Sequence, residues 1–130
     1  MDELTARFFD LFTNTDGKVP NFKKIFDLCI PEGMLISNTN GKPVVSNLQD
    51  FIAPREKMLI DGTLTNFSEF EITGETKIFG NIAQRFSFYE KSGILNNELF
   101  TSRGIKTIQF VKVSQKWKIS SVAWSDEKYT

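Results

Sequence analysis

The chain has 130 residues and a mass of 14.9 kDa, which is enough for one domain with a core and too little for two. Its 16 basic and 16 acidic residues cancel and form no block of like charge, which argues against a nucleic-acid-binding surface. Histidine is absent, which excludes His-based acid/base catalysis and removes the commonest metal ligand. We therefore expect no metal and no other cofactor.

No apolar run approaches the roughly 18 residues that a membrane-spanning helix needs. The opening sequence MDELTARFFDLF is acidic and amphipathic, whereas a secretory signal begins basic and continues apolar. Cys29 is the single cysteine, so an intrachain disulfide is impossible and nothing indicates an oxidising compartment. These features predict a cytoplasmic protein that binds no membrane.

Two amphipathic helices are predicted at the start of the chain. Apolar residues recur at helical spacing across residues 4–12, and the sequence NTDG then ends the pattern. A second apolar stripe covers residues 22–29, after Pro20 as a first helical residue and before Pro31 as a terminator. Cys29 lies on this apolar face without a neighbouring base, which favours a buried hydrophobic role over a nucleophilic one.

A hairpin and a third helix are predicted next. The sequence GMLISNTNGKPVVS contains two short apolar segments around an Asn-Gly pair at 40–41, the commonest signal for a tight turn. Residues 46–47 offer a cap for a helix that carries Leu48 and its apolar neighbours. Pro54 is expected to kink or restart that helix, and Gly62 to end it.

In the second half of the chain the apolar pattern changes from helical spacing to the two-residue alternation of β-strands. NFSEFEIT, NIAQRFSFYEK, TIQFVKV and KWKISSVAWS are rich in aromatic and β-branched residues, and turn residues separate them. Helices followed by a run of antiparallel strands predict an α+β domain in which the helices pack on one face of the sheet.

The order helix, helix, hairpin, helix and four long strands resembles the nuclear transport factor 2-like superfamily, which includes polyketide-cyclase-like and ketosteroid-isomerase-like proteins. The strings FIAPREKMLIDGTLTNFSEFE, IFGNIAQRFSFYEKSG, RGIKTIQFVKV and WKISSVAWSDE look like a bacterial subgroup whose members are mostly uncharacterised. The resemblance implies a single domain over residues 1–130. In that domain three N-terminal helices lie in the concave face of a strongly curved, mainly antiparallel sheet, a cystatin-like cone. It also implies homodimers packed through the sheet, and often a cavity at the cone's open end.

Arg85 is the first candidate ligand-binding residue. It alternates with Ala83, Ser87 and Tyr89 on one face of a predicted central strand, where an arginine needs a partner. If that face lines the cavity, Arg85 could bind an anionic group while Tyr89 donates a hydrogen bond. A structural ion pair is the alternative.

Glu69 and Glu71 share one side of their strand. Two buried carboxylates could form an acid/base pair, because repulsion between like charges raises one pKa. The alternative is a solvated or salt-bridged pair, with Arg85 or a lysine on the neighbouring strand as the partner.

Arg103 and Gln109 are further ligand-binding candidates on the next strand. Arg103 precedes Gly104, where a bulge or a close backbone approach is expected. Gln109 shares a strand face with Thr107 and Val111, where its amide requires a hydrogen-bond partner. A cross-strand hydrogen bond is the alternative to a pocket role.

The last strand carries two tryptophans in opposite registers. Without a bulge, Trp117 lies with Ile119 on one face and Trp124 lies on the other. We interpret Trp117 as core. Trp124 is a candidate for a cavity rim or a dimer interface, and Asp126, in the same register, is the one acid here that merits testing as a catalytic base.

Three functions are consistent with these patterns. The 13 phenylalanines favour a Phe-rich cavity that binds a small, largely apolar molecule. One alternative is a cofactor-independent lyase, isomerase or hydrolase that uses carboxylate acid/base chemistry. The other is a homodimeric protein-interaction module with no ligand. A filled cone with a large exposed apolar patch would favour the interaction module.

Overall fold

The computed structural model describes residues 1–127. Its elements, in chain order, are α1 (Asp2–Phe9), α2 (Ile25–Leu28), β1 (Cys29–Ser37), β2 (Val44–Ser46), α3 (Leu48–Ile60), β3 (Leu64–Phe79), β4 (Ile82–Leu95), β5 (Glu98–Val113) and β6 (Lys116–Asp126). This order confirms the predicted α+β class.

All six strands belong to one mixed sheet with the order β2-β1-β6-β5-β4-β3. Strands β3 to β6 form an antiparallel meander, β1 pairs with β6 in parallel, and β2 pairs with β1 as the antiparallel hairpin that the Asn-Gly signal predicts. The helices cover one face of the sheet, which we call the inner face; the opposite face is the outer face.

The second helix is much shorter than its apolar stripe predicts. Only Ile25–Leu28 is α-helical, after a 3₁₀ turn at Phe22–Lys24. Cys29 begins β1 opposite Ile119 of β6, and the strand continues through Pro31. The parallel ladder to β6 therefore outweighs the local helical pattern. Cys29 is buried as predicted, and burial raises the pKa of its thiol to about 12.

Helix α3 begins at the predicted cap and runs through its proline. The Asn47 side chain accepts a hydrogen bond from the Asp50 amide at 2.8 Å, which satisfies one of the free donors of the first turn. Pro54 lies inside the helix without interrupting it, so the predicted restart does not occur. Gly62 follows the helix with φ +82°, a conformation that glycine adopts without strain.

Aromatic rings fill the space between the helices and the inner face. The Phe12 and Phe51 rings lie 5.7 Å apart, and Phe51 meets Trp124 edge-on at the same distance. Phe9 packs 6.2 Å from the ring of Tyr89. Edge-on and tilted ring pairs of this kind are favourable beyond the area that they bury. The phenylalanines of this region therefore form a packed core.

A bulge in β6 corrects the prediction for the two tryptophans. Ile119 pairs with Phe110 while Ser121 pairs with Gln109, so one extra residue lies between the two pairs. The shift in register turns Val122 and Trp124 to the inner face, the face that already holds Ile119. Both tryptophans consequently contact the same core, Trp117 at its margin and Trp124 within it.

Candidate functional site

Charged and hydroxyl side chains lie together on the inner face of the four long strands, beside the aromatic core. This inner-face cluster consists of Glu69, Glu71, Arg85, Ser87, Tyr89, Lys91, Lys106 and Asp126. The strand register brings them together, because β4 places every second residue opposite an inner-face residue of β3 and of β5.

Arg85 lies at the centre of one half of the cluster and is 6% exposed. Its Nε and Nη2 donate to the two carboxylate oxygens of Glu71 at 2.8 and 2.5 Å. Its Nη1 donates to Asp2 Oδ1 at 2.7 Å and to Thr76 Oγ1 at 2.6 Å. This bidentate pair with Arg85, reinforced by a hydrogen bond from Ser87, holds the pKa of Glu71 below its usual value.

Glycine at position 74 makes room for this pair. A Cβ placed on Gly74 would lie 2.5 Å from Glu71 Oε2 and 2.7 Å from Arg85 Nε. Any larger residue would therefore displace the guanidinium or the carboxylate.

Lys106 is a buried charge in the second half of the cluster and is 6% exposed. Its Nζ lies 3.3 Å from Glu69 Oε2. The same atom lies 4.3 Å from the ring centre of Tyr89 and 5.0 Å from that of Trp124. Phe9 completes the surroundings with its ring centre at 5.4 Å. Burial lowers the pKa of Lys106, while the carboxylate of Glu69 opposes that shift.

Tyr89 and Asp126 form the third contact of the cluster. The fully buried Tyr89 donates its hydroxyl to Asp126 Oδ1, and Lys91 Nζ lies 3.0 Å from Asp126 Oδ2. Burial raises the pKa of Tyr89, and the neighbouring carboxylate adds to the shift. Although burial opposes it, hydrogen bonds from Tyr89 and Lys91 hold the pKa of Asp126 below its ordinary value. Asp126 is consequently a stable carboxylate and a weak proton acceptor at neutral pH.

Gly104 confirms the close backbone approach expected at that position. A Cβ there would lie 2.4 Å from the Ser125 carbonyl oxygen and 2.6 Å from the Tyr89 hydroxyl. The absence of a side chain lets Tyr89 reach across β5 to Asp126.

A cleft of about 770 Å³ opens beside the cluster, between helix α1 and strand β3. Its lining residues are Asp2, Glu3, Thr5, Ala6, Arg7, Phe9 and Asp10 on the helix side, and Glu69, Phe70, Glu71 and Arg85 on the sheet side. Only two of these residues are phenylalanines. This α1–β3 cleft is therefore charged, unlike the Phe-rich cavity expected from composition.

The structure brings together four of the predicted site residues and separates two. Arg85, Tyr89, Trp124 and Asp126 lie on the inner face, where Arg85 reaches the cleft and the others lie deeper. Arg103 and Gln109 lie on the outer face, because odd-numbered residues of β5 alternate with the buried even-numbered ones. Their side chains are therefore no part of the inner-face cluster.

Arg103 and Gln109 have ordinary cross-strand neighbours on that outer face. Arg103 Nε donates to Glu90 at 2.9 Å, and the exposed Gln109 accepts a hydrogen bond at its backbone oxygen from Ser120 at 3.2 Å. The salt-bridged alternative for Glu69 and Glu71 is confirmed. Glu71 pairs with Arg85 on the neighbouring strand, whereas Glu69 pairs with Lys106 on β5, two strands away, and not with a lysine of the neighbouring strand.

Lys106 is the main residue of the cluster that we did not single out by name in the sequence. The available signal was its alternation with Gly104, Ile108 and Phe110, which places a lysine in the apolar register of β5. A charge in such a register requires a partner, and the partner lies on β3, two strands away.

The outer face carries a surface of a different kind. We call it the outer patch, and it consists of Ile82, Gln84, Phe86, Phe88, Ile105, Thr107 and Gln109. Phe86 and Ile82 are each 58% exposed. A shallow hollow of about 390 Å³ lies beside Phe86 and Phe88.

The described residues include no group of three or more His, Cys, Asp or Glu side chains placed to hold a metal ion. None of the helices formed by residues 1–127 combines the length and the apolar character needed to cross a bilayer.

No protein-family model matches the sequence, and no curated protein matches it. Solved structures do match over nearly the whole chain. A nuclear transport factor 2-like superfamily protein from Salmonella enterica superposes with a TM-score of 0.77 at 14% identity, over 99% of this chain and 89% of that one. The chain therefore has the nuclear transport factor 2-like fold.

Two further structures agree with this fold. A protein from Kribbella flavida gives a TM-score of 0.74 at 15% identity, over 97% of this chain and 87% of that one. A protein of unknown function with a cystatin-like fold from Nostoc punctiforme gives a TM-score of 0.70 at 14% identity, over 96% of this chain and 86% of that one. The resemblance noted in the sequence is confirmed for the fold, the cystatin-like α+β cone. At these identities the comparisons establish the fold alone.

Proposed function

We propose that this protein is a homodimeric interaction module that associates through the outer patch of its nuclear transport factor 2-like sheet. The observation that carries the proposal is the exposure of two large apolar side chains in the first part of β4, Ile82 and Phe86, while the inner face of the same strand is buried. Large apolar side chains grouped on an open sheet face are characteristic of an interaction surface.

The arrangement of charge around the outer patch supports this function. Its centre is uncharged, from Gln84 and Phe86 on β4 to Thr107 and Gln109 on β5. Charged side chains flank it directly on β3, where Glu75 pairs with Phe86 and Lys77 with Gln84, and the Arg103–Glu90 pair lies at its other end. An uncharged centre with a charged rim is the usual composition of a protein–protein interface.

The size of the surface fits a dimer. The outer patch itself lies on β4 and β5. A contact that extends to the neighbouring strands β3 and β6, with four strands spaced by about 4.8 Å and about nine residues long, would cover roughly 600 Å² of the sheet. Two copies would together bury about 1,200 Å², which is the lower limit of the standard range for a specific interface. A second copy offers the same surface in a two-fold arrangement, so the uncharged centres of the two copies can face each other, with Glu75 and Lys77 of β3 beside them.

The other two functions have less support from the geometry. A small apolar ligand needs a cavity among the phenylalanines, yet Phe12, Phe51 and Trp124 pack directly on one another. A carboxylate acid/base enzyme needs a carboxyl group with a raised pKa, yet the pKa values of Glu71 and Asp126 are both lowered.

Light scattering coupled to size-exclusion chromatography tests the proposal. We expect the wild-type protein to elute at twice the 14.9 kDa mass of one chain. Phe86→Glu should elute as a monomer, because it would bury two carboxylates at the centre of the interface. Val19→Glu is the matched control: Val19 is 84% exposed and lies outside the sheet, so this variant should remain dimeric. A monomeric wild-type protein, or a dimeric Phe86→Glu variant, would refute the proposed interface.

A further inference from the structure

We propose that Arg85, at the floor of the α1–β3 cleft, is a binding site for the carboxylate group of a small monocarboxylic acid. In the free protein the carboxylate of Asp2 occupies that position, with Oδ1 2.7 Å from Arg85 Nη1. The site lies on the inner face, so it is independent of the proposed dimer interface on the outer face.

The two carboxylates that contact Arg85 are not equivalent. The Glu71 side chain is 19% exposed, accepts from two guanidinium nitrogens and is held by Ser87 as well. The Asp2 side chain is 92% exposed and accepts from Nη1 alone. A single hydrogen bond to an exposed acid contributes little, because water and salt compete for both groups. Glu71 is therefore the structural partner of Arg85, and Asp2 is the partner that a ligand can replace.

Nη1 is the one guanidinium nitrogen that contacts a group belonging to helix α1. Asp2 belongs to the first turn of that helix, and α1 forms one wall of the cleft. A ligand carboxylate that takes the place of Asp2 would keep two carboxylates in contact with Arg85, while the displaced Asp2 side chain, already 92% exposed, would remain in water. The ligand carboxylate would also receive a charge-assisted hydrogen bond from a donor whose direction Glu71 and Thr76 already fix.

The lining of the cleft defines the class of acid. Phe9, Phe70 and Ala6 offer apolar contact for the body of the ligand. Glu3, Asp10 and Glu69 line the same space and are already paired with Arg7, Lys18 and Lys106. Among the described lining residues the other cation, Arg7, is thus occupied, so a second negative charge on the ligand would meet no cation of its own. The geometry therefore favours a monocarboxylate with a compact apolar body over a dicarboxylate or a phosphate.

Isothermal titration calorimetry with benzoate tests this site. Asp2→Asn removes the competing charge, so benzoate should bind about two- to sixfold more tightly than to the wild-type protein, the factor expected for releasing one exposed ion pair. Glu32→Gln is the control, because it removes an exposed acid that lies outside the cleft and leaves the Arg85–Asp2 contact in place. Benzamide and phthalate are the control ligands, and both should bind much more weakly than benzoate.

The decisive comparison uses the Asp2→Asn variant, which changes an exposed side chain and leaves the core intact. No saturable benzoate binding to Asp2→Asn would overturn the proposal, and so would an equal gain in Glu32→Gln or equal binding of benzamide. Arg85→Lys should lose benzoate binding, and circular dichroism shows whether that variant is folded. Because Phe86→Glu leaves the cleft unchanged, it should bind benzoate like the wild-type protein. A failed dimer test and a failed benzoate test are therefore distinguishable.

Discussion

The inner and outer faces of β4 differ at each successive residue. Arg85, Ser87 and Tyr89 are buried and held by ion pairs or hydrogen bonds, whereas Phe86, between the first two, is 58% exposed and contributes to an uncharged surface. The usual distribution, apolar inside and polar outside, is thus partly reversed along this strand. A buried charge requires a partner, and exposed apolar side chains grouped on one face are typical of an interaction surface.

The largest expected effect is the loss of a buried charge partner on the inner face. Lys106→Met would leave the Glu69 carboxylate, whose side chain is 11% exposed, without its partner. We expect the free energy of unfolding to fall by about 3–5 kcal/mol, because the uncompensated charge must be desolvated or protonated. Urea unfolding followed by circular dichroism measures the loss.

Lys18→Met is the matched control for that experiment. Lys18 forms an ion pair with Asp10 in which both side chains are about half exposed. A pair of this kind contributes about 0–1 kcal/mol. Equal losses in Lys106→Met and Lys18→Met would show that the buried pair has no special role. The double variant Glu69→Gln/Lys106→Met should regain part of the stability, since neither charge is then left alone.

The second prediction concerns the close approach at Gly104. Gly104→Ala places a methyl group 2.4 Å from the Ser125 carbonyl oxygen and against the Tyr89 hydroxyl, so β5 and β6 must separate locally. Overpacking at a site with a backbone neighbour should cost about 3 kcal/mol. Differential scanning calorimetry would show a lower melting temperature.

Gly93→Ala provides the graded comparison for Gly104→Ala. Its nearest contacts, Phe100 Cε1 and Thr65 O, lie at 3.2 Å, so a small movement of the neighbours relieves the contact. We expect Gly93→Ala to lower the free energy of unfolding by about 1 kcal/mol or less. If Gly93→Ala were as destabilising as Gly104→Ala, the contact between Gly104 and Tyr89 would not explain the need for glycine at position 104.

The third prediction is a pH dependence that originates at Asp126. Its pKa is lowered in the folded protein, so its ionised form stabilises the fold at pH values above the ordinary carboxyl value near 4. That contribution is lost as the pH falls through the lowered pKa. Asp126→Asn should therefore be less stable than the wild-type protein at pH 7, by about 1–3 kcal/mol for a charged hydrogen-bond acceptor.

Urea unfolding of both proteins between pH 7 and pH 3 measures this dependence. The wild-type free energy of unfolding should decline more steeply below pH 4 than that of Asp126→Asn, so the two curves should converge. Parallel curves over the whole range would mean that the hydrogen bonds from Tyr89 and Lys91 do not favour the ionised carboxylate.

Much of this contrast between faces could be predicted from the sequence, because the period of a strand fixes it. The alternation placed Ala83, Arg85, Ser87 and Tyr89 on one face of β4 correctly, although it did not tell that this face is the covered one. The bulge near Ser120 could not be predicted, since one extra residue in β6 leaves no mark in composition and reverses every later side chain. The length of α2 was wrong for a related reason: the partner of Cys29 lies on β6, about 90 residues later in the chain.

The site itself was less predictable than the fold. The sequence offers Arg85 or a lysine as a partner for Glu69 and Glu71, yet nothing in it indicates that Asp2 reaches Arg85 from a separate helix. Contacts that depend on how a helix packs across a sheet are set by the whole core, which a local pattern does not describe. The position of Arg103 and Gln109 on the outer face could not be predicted, because the register alone does not tell which face of β5 is covered.

The smallest expected change in the free energy of unfolding is that of Phe86→Glu, on the outer face of β4. In the monomer, Phe86→Glu should change the free energy of unfolding by about 0.5 kcal/mol or less, because the ring is largely in water already. In a dimer, stability also includes association, so the wild-type melting temperature should rise with protein concentration while that of Phe86→Glu stays constant. Melting curves across a hundredfold range of concentration separate the two contributions. If the wild-type melting temperature did not depend on protein concentration, association would make no contribution to stability, and the proposed dimer would be refuted.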